Sequence, residues 1–290
     1  MRRTIALVVD NLTLTAESTP YVRQALKRFV DEQMQPGDLV AIVRTGAGMG
    51  ALQMFTADKR ILYAAIERIR WSPSSNTLYS FAPVAMGEPG RYSALGASTL
   101  SGDKKRSSTD PLLQIPERAT DEMDKLRQEV FSVGTLGALQ FVVRALRELP
   151  GRKSVVLFSE GLSIYNREQN IIRVRDALRN LTDLANRSSA VIYTMDARGL
   201  QPLTMTAADD LGGDITTGGV NQTLWQAEPR AYSAARADDF IESQEGLNYL
   251  AQQTGGFFIR NTNDLSGGIR RVMNDQASCR LRASAQSENR

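Results

Sequence analysis

The chain reads as an α/β protein: a doubly wound, mostly parallel sheet with helices on both faces and two irregular insertions. Three observations predict it. Short apolar runs alternate with stretches of helical periodicity along most of the 290 residues, the pattern of repeated strand–helix units. The strand runs are continuously apolar, as in strands covered on both faces. Three of them end on a carboxylate, Asp10, Glu160 and Asp196, and ligands in such folds sit beyond the carboxyl ends of the strands. No internal repeat is apparent.

The first strand spans residues 4–9. Thr19-Pro20 supplies a cap and first-turn proline for a helix whose inner face is Val22, Leu26, Phe29 and Val30, and Pro36-Gly37 ends it. A second strand covers 39–43, and a short third one, 51–55, hairpin-pairs to it through the glycines at 46, 48 and 50. Residues 56–58 cap a helix carrying Ile61, Leu62, Ala65, Ile66 and Ile69. Serine, proline and glycine then dominate, and residues 71–120 read as an insertion or long loop. Helices follow at about 121–130 and again from Thr135, the second with Leu136, Leu139, Val143 and Leu146 on one face and Pro150-Gly151 as its stop. The strand at 154–158 leads to a helix at about 167–186, with Ile171, Val174, Leu178, Leu181 and Ala185 inward, and then to a strand at 190–195. A second irregular stretch spans 200–240. A helix with Leu247, Leu250 and Ala251 ends at Gly255-Gly256, a short strand covers 257–259, and Leu265, Ile269, Val272 and Met273 mark the last helix. Beyond Ala277 the chain is polar and unpatterned, so residues 1–277 read as one domain and 278–290 as a disordered tail.

Composition narrows the function. Hydrophobic residues make up 42%, enough for a sizeable core, and 35 basic against 32 acidic residues leave a net charge of only +3. The basic residues are scattered apart from Lys104-Lys105-Arg106, which argues against nucleic acid as a partner. The absence of histidine excludes Ser-His-Asp and Cys-His catalysis and histidine-ligated zinc. The single cysteine, Cys279, has no partner for an internal disulfide and reads as an incidental thiol. No apolar run approaches the ~20 residues of a membrane helix. Met1-Arg2-Arg3 precedes an apolar run too short for a signal peptide, so no export signal is expected and the compartment stays open.

The most informative stretches are Gly134-Thr135-Leu136 and residues 151–161, where a buried strand ends on Glu160 and Gly161. With Asp10 after the first strand, Thr135 and Glu160 make an oxygen-rich rim, the donor type that Mg²⁺ or Mn²⁺ prefers. Each also has a plainer reading. Asp10 caps a turn, Thr135 is a helix N-cap, and Glu160 is a solvated charge near a helix start. Asp196 reads as a solvated turn residue. The cluster Asp209, Asp210 and Asp214 lacks the spacing of a calcium loop. The glycines at 46, 48 and 50 precede a strand and read as a tight turn, not a phosphate cradle. Trp71, Tyr79 and Trp225 read as anchors of the irregular regions.

Residues 3–10, Gln35-Pro36-Gly37-Asp38, residues 134–139 and residues 151–161 together resemble the von Willebrand factor type A domain, in particular the divergent "VWFA-related" group of acidobacteria and similar soil bacteria. The resemblance covers most of 3–275 outside the two irregular stretches. It implies a metal-ion-dependent adhesion site, which in intact members is Asp-x-Ser-x-Ser after the first strand, a threonine in a later loop and a later aspartate. Asp10 and Thr135 match. Leu12 and Leu14 fall on the two serines, and Glu160 falls on the later aspartate. Thr13 or Thr15 would supply a hydroxyl if the loop shifted register. The resemblance thus implies a degenerate adhesion site and a non-enzymatic protein–protein interaction module, with a protein partner and no membrane span. The alternatives are a metal-independent scaffold and a magnesium-dependent hydrolase. The hydrolase is disfavoured because Leu12 stands where a second aspartate would be wanted and no acid–base pair is evident. Relatives continue after the last helix into a tyrosine-rich strand and are often exported. Here residues 277–282 break that pattern, so an altered edge strand is expected.

Overall fold

The computed structural model describes residues 3–46, 54–71, 117–162, 164, 172–201 and 222–287. The elements in order are β1 (Arg3–Val9), α1 (Ser18–Arg28), β2 (Leu39–Arg44), α2 (Lys59–Glu67), α3 (Glu117–Arg147), β3 (Arg152–Ser159), α4 (Ile172–Arg187), β4 (Ala190–Asp196), α5 (Gln222–Gln253), β5 (Phe258–Ile259) and α6 (Leu265–Ser287). One π turn, Phe29–Gln33, extends α1. The five strands form a single sheet in the order β2-β1-β3-β4-β5, and every pairing is parallel. The chain steps one way from β1 to β2 and then returns across β1 to β3. The strand order therefore reverses between β1 and β3, the position where such sheets open a crevice.

The continuous apolar runs explain the layers. Successive side chains on a strand face opposite ways, so Ile5, Leu7 and Val9 join Val22, Leu26, Leu62, Ile66, Ile269 and Val272 in one core. Ala6 and Val8 join Leu136, Leu139, Leu178, Leu181, Leu247 and Leu250 in the other. Helices α1, α2 and α6 thus cover one face, and α3, α4 and α5 the other. The doubly wound α/β class expected from the sequence is the one observed. Among the described residues, no helix is long and apolar enough to cross a membrane.

Four local expectations are corrected. The two helices predicted on either side of Val130 and Thr135 are one helix, α3. Gly134 and Gly137 lie inside it; each costs ~1 kcal/mol relative to alanine, and the buried stripe of Leu136, Leu139, Val142, Val143 and Leu146 outweighs that. The second irregular stretch, expected over 200–240, gives way to helix at residue 222. The tail expected to be disordered is helical through Ser287, since Ala, Leu, Arg and Gln form helix without needing an apolar stripe. It forms no strand there either. At the third predicted strand, residues 54 and 55 are not strand, but Thr56 bridges Val40 antiparallel through two hydrogen bonds of 2.9 Å.

Residues 47–53, 72–116, 167–171 and 202–221 lie outside the described residues, and with them the rest of that predicted strand, Lys104-Lys105-Arg106, Tyr79 and the aspartates at 209, 210 and 214. Trp71, read as an anchor of the first irregular stretch, is exposed.

Helix α5 crosses the loop after β3 so closely that only glycine fits at 246: a Cβ there would stand 2.0 Å from the Leu162 carbonyl oxygen. Gly137, by contrast, has nothing within 4 Å of its Cβ position. Gly246→Ala is expected to destabilise by about 3 kcal/mol, and Gly137→Ala to stabilise by about 0.5–1 kcal/mol, both read from urea melts.

Candidate functional site at the carboxyl rim

The reversal point carries two buried carboxylates, Asp10 and Glu160, each without solvent exposure. Asp10 follows β1 directly and is held by its own backbone. Its N–H donates to the Phe158 carbonyl at 2.9 Å, and its carbonyl accepts from Thr13 and Leu14 N–H at 3.1 Å each. This tight turn drives Leu14 into the core and brings the Thr13 hydroxyl back over the carboxylate.

Four hydroxyls then surround the Asp10 carboxylate. Oδ1 accepts from Thr45 Oγ1 at 2.7 Å and from Thr135 Oγ1 at 2.8 Å. Oδ2 accepts from Ser159 Oγ at 2.8 Å and from Thr13 Oγ1 at 3.0 Å. Asp10 is therefore a fully bonded buried anion rather than a turn cap. Burial pushes its pKa up, against the lowering effect of the Thr45, Thr135, Ser159 and Thr13 hydrogen bonds. Thr135 reaches it from the interior of α3, so it is not the helix N-cap that its sequence context suggests. Thr45 and Ser159 escaped the sequence reading. Their signal lies in register: Val9 pairs with Arg44 on one side and with Phe158 on the other. The next residue on each strand, 45 and 159, therefore flanks Asp10.

Glu160 faces elsewhere. Its Oε1 accepts from Thr15 N at 2.6 Å, from Thr15 Oγ1 at 2.8 Å and from Ser18 Oγ, which ties the end of β3 to the first turn of α1. Its Oε2 is buried with no partner. The expectation of a solvated charge is overturned: Glu160 has no solvent exposure and is held against the start of α1. Burial raises its pKa against the Ser18 and Thr15 hydrogen bonds and the Arg198 charge.

Asp10, Thr135 and Glu160 thus share one rim, but only the first two touch, and the two carboxylates have no hydrogen-bond donor in common. A small divalent ion wants near-octahedral oxygen coordination. The residues present do not fit that demand. Leu12 and Leu14 bring no oxygen, and Thr13 is turned onto Asp10. Among the described residues no three acidic, histidine or cysteine side chains cluster. Leu12 instead lies between two glycines: its Cδ2 would be 2.9 Å from a Cβ at Gly46 and its Cδ1 3.4 Å from one at Gly134.

Asp196, expected to be solvated, is fully buried. It takes Arg198 Nε at 2.9 Å, Arg198 Nη2 at 2.8 Å and Gln244 Nε2 at 2.7 Å. The Arg198 guanidinium also donates to Ser243 Oγ at 2.9 Å and lies 4.3 Å from the Phe240 ring centroid. Charge pairing makes this burial tolerable and fastens α5 to the rim. Beside this network opens a pocket of about 290 Å³ between the start of α1, the turn after β4 and the start of α6. Tyr21 (61% exposed) and Leu200 (64% exposed) stand at it.

Asp10→Ala removes the shared acceptor of four hydroxyls, three of them buried, and is expected to cost about 3 kcal/mol, measurable by urea denaturation. Because Asp10 and Glu160 hold protons more tightly folded than unfolded, the stability they contribute is complete below the ordinary values of 3.8 and 4.5. It is lost as pH rises through the raised folded values. Glu160→Gln, which cannot ionise, is therefore expected to gain stability relative to wild type as pH rises above about 4.5, compared by urea midpoints across pH.

No protein-family model matches the chain, and no curated protein matches it in sequence. Among solved structures, an aerotolerance-related membrane protein from Bacteroides fragilis NCTC 9343, carrying multiple mutations to serines, is 15% identical at a TM-score of 0.42, over 95% of this chain and 99% of that one. An uncharacterised membrane-spanning protein from Vibrio fischeri is 14% identical at a TM-score of 0.23, over the same shares of the two chains. At these values neither likeness supports an inference about this chain.

Proposed function

We propose that this chain is a non-enzymatic protein–protein interaction module of von Willebrand A type, whose degenerate adhesion site works without a resident metal ion. One observation carries the metal-free part: both oxygens of the Asp10 carboxylate are already occupied by the chain's own hydroxyls, two on each. An ion at Asp10 would have to displace those bonds, and Glu160 Oε1 is itself held by Thr15 and Ser18. The interaction part draws on the rim surface. Tyr21 and Leu200 are large, largely exposed and adjacent to the pocket, the kind of apolar rim that marks a docking site.

Two measurements test the proposal. Calorimetric titration with Mg²⁺ and with Mn²⁺ is expected to give no stoichiometric heat on the wild type. Stoichiometric uptake that Asp10→Asn abolishes would overturn the metal-free site. Cross-linking in lysate of the source organism is expected to capture a defined protein, with capture lost in the double variant Tyr21→Ala/Leu200→Ala and kept in Lys153→Ala at the opposite end of the sheet. Equal capture by both variants rejects the rim as the interface. Turnover of generic phosphatase or esterase substrates would reject the non-enzymatic reading.

A further inference from the structure

The rim pocket is built from acceptors. Thr15 and Ser18 line it; both hydroxyls reach Glu160 Oε1 and their oxygens lie 2.6 Å apart, so both protons are spent within this cluster, on Glu160 or between the two hydroxyls. Their oxygens therefore keep only acceptor capacity. Several of the amides that would otherwise make two converging helix N-termini attractive to an anion are also consumed. At α1, Thr15 N–H goes to Glu160 and Ser18 N–H to Thr15 Oγ1. At α6, Gly267 N–H goes to the Asp264 carboxylate and Gly268 N–H to its carbonyl. In the turn after β4, Leu200 N–H goes to Asn263 Oδ1. The one cation in the lining, Arg198, is neutralised by Asp196. Glu17, also in the lining, is exposed and makes no ion pair among the described residues. Around these acceptors stand the Tyr21 ring, Leu200 and Leu265, surfaces suited to an alkyl stem.

Acceptor oxygens, one unpaired carboxylate and an apolar collar match a primary ammonium on a flexible chain. The volume of about 290 Å³ is at the small end for ligand pockets and suits one side chain. We infer that this pocket receives a lysine side chain presented by the partner protein. The inference rests on the interaction reading and specifies its chemistry.

The test uses the full chain, ¹⁵N-labelled, titrated with a capped glycyl-lysyl-glycine peptide and with norleucine and glutamate analogues of it. The lysine peptide is expected to shift the amides of Thr15, Ser18, Leu200 and Asn263, while neither analogue does. Glu17→Gln is expected to weaken its binding by about threefold to fivefold, and 0.5 M salt to weaken it further. Shifts by the glutamate analogue, an unchanged affinity in Glu17→Gln, or no shift with the lysine peptide would each overturn the inference. Free lysine binding more tightly than the capped peptide would assign the pocket to a small metabolite and also overturn it. If partner capture depends on Tyr21 and Leu200 while the lysine peptide leaves the pocket unmoved, the lysine inference alone fails. If capture ignores the rim, the interaction reading itself falls.

Discussion

The arrangement at the rim depends on one buried anion. The Asp10 carboxylate sits where the strand order reverses, and its partners come from the loop after β1, the end of β2, the interior of α3 and the end of β3. A buried carboxylate is tolerable only when its lone pairs are met. The four segments are therefore held to positions that meet them. The continuity of α3 through Gly134 and Gly137 belongs to the same constraint, since Thr135 reaches Oδ1 from mid-helix. Hydroxyl donors suit the purpose: each carries one proton and rotates to direct it, and none adds a second charge that would itself need burying.

The rest of the rim repeats this logic with different chemistry. Glu160 fastens β3 to α1 through hydroxyls and an amide, and Asp196 fastens β4 to α5 through Arg198 and Gln244. Each strand that ends on a carboxylate thus spends it on a neighbouring helix or loop. Only Glu160 keeps a buried oxygen without a partner, a cost the low-dielectric rim does not relieve. Its raised pKa is the expected response, because a protonated carboxyl is cheaper to bury than a charged one.

Much of this was legible in the sequence. Continuous apolar runs marked the strands and their burial on both faces, and the carboxylates at strand ends marked the rim where Asp10, Glu160 and Asp196 are buried. Asp10, Thr135 and Thr13 were recognisable because their spacing resembles a known pattern. Thr45 and Ser159 were not, because their role depends on which strands flank β1, and strand order is not written in local periodicity. The two glycines near Thr135 looked like a helix boundary. Propensity disfavours glycine in a helix, yet the buried stripe of α3 holds the helix together across them. Asp196 and Glu160 looked solvated because nothing local announces their distant partners, Gln244 of α5 for the one and Thr15 and Ser18 for the other.

The leucines at positions 12 and 14 draw these strands together. A serine at either place would offer oxygen to the space beside Asp10. Instead Leu14 is in the core, and Leu12 fits against Gly46 and Gly134. The turn that buries Leu14 is the same turn that aims Thr13 at Oδ2, so the lost serine oxygens and the gained hydroxyl contact are two results of one backbone path. Replacing Leu12 by serine would therefore leave Asp10 bonded as before and would lose the contacts to Gly46 and Gly134, with no free carboxylate oxygen to show for it. The rim is organised for shape and for internal hydrogen bonding, and the proposed recognition falls to the pocket beside it, where the Glu17 carboxylate makes no ion pair among the described residues.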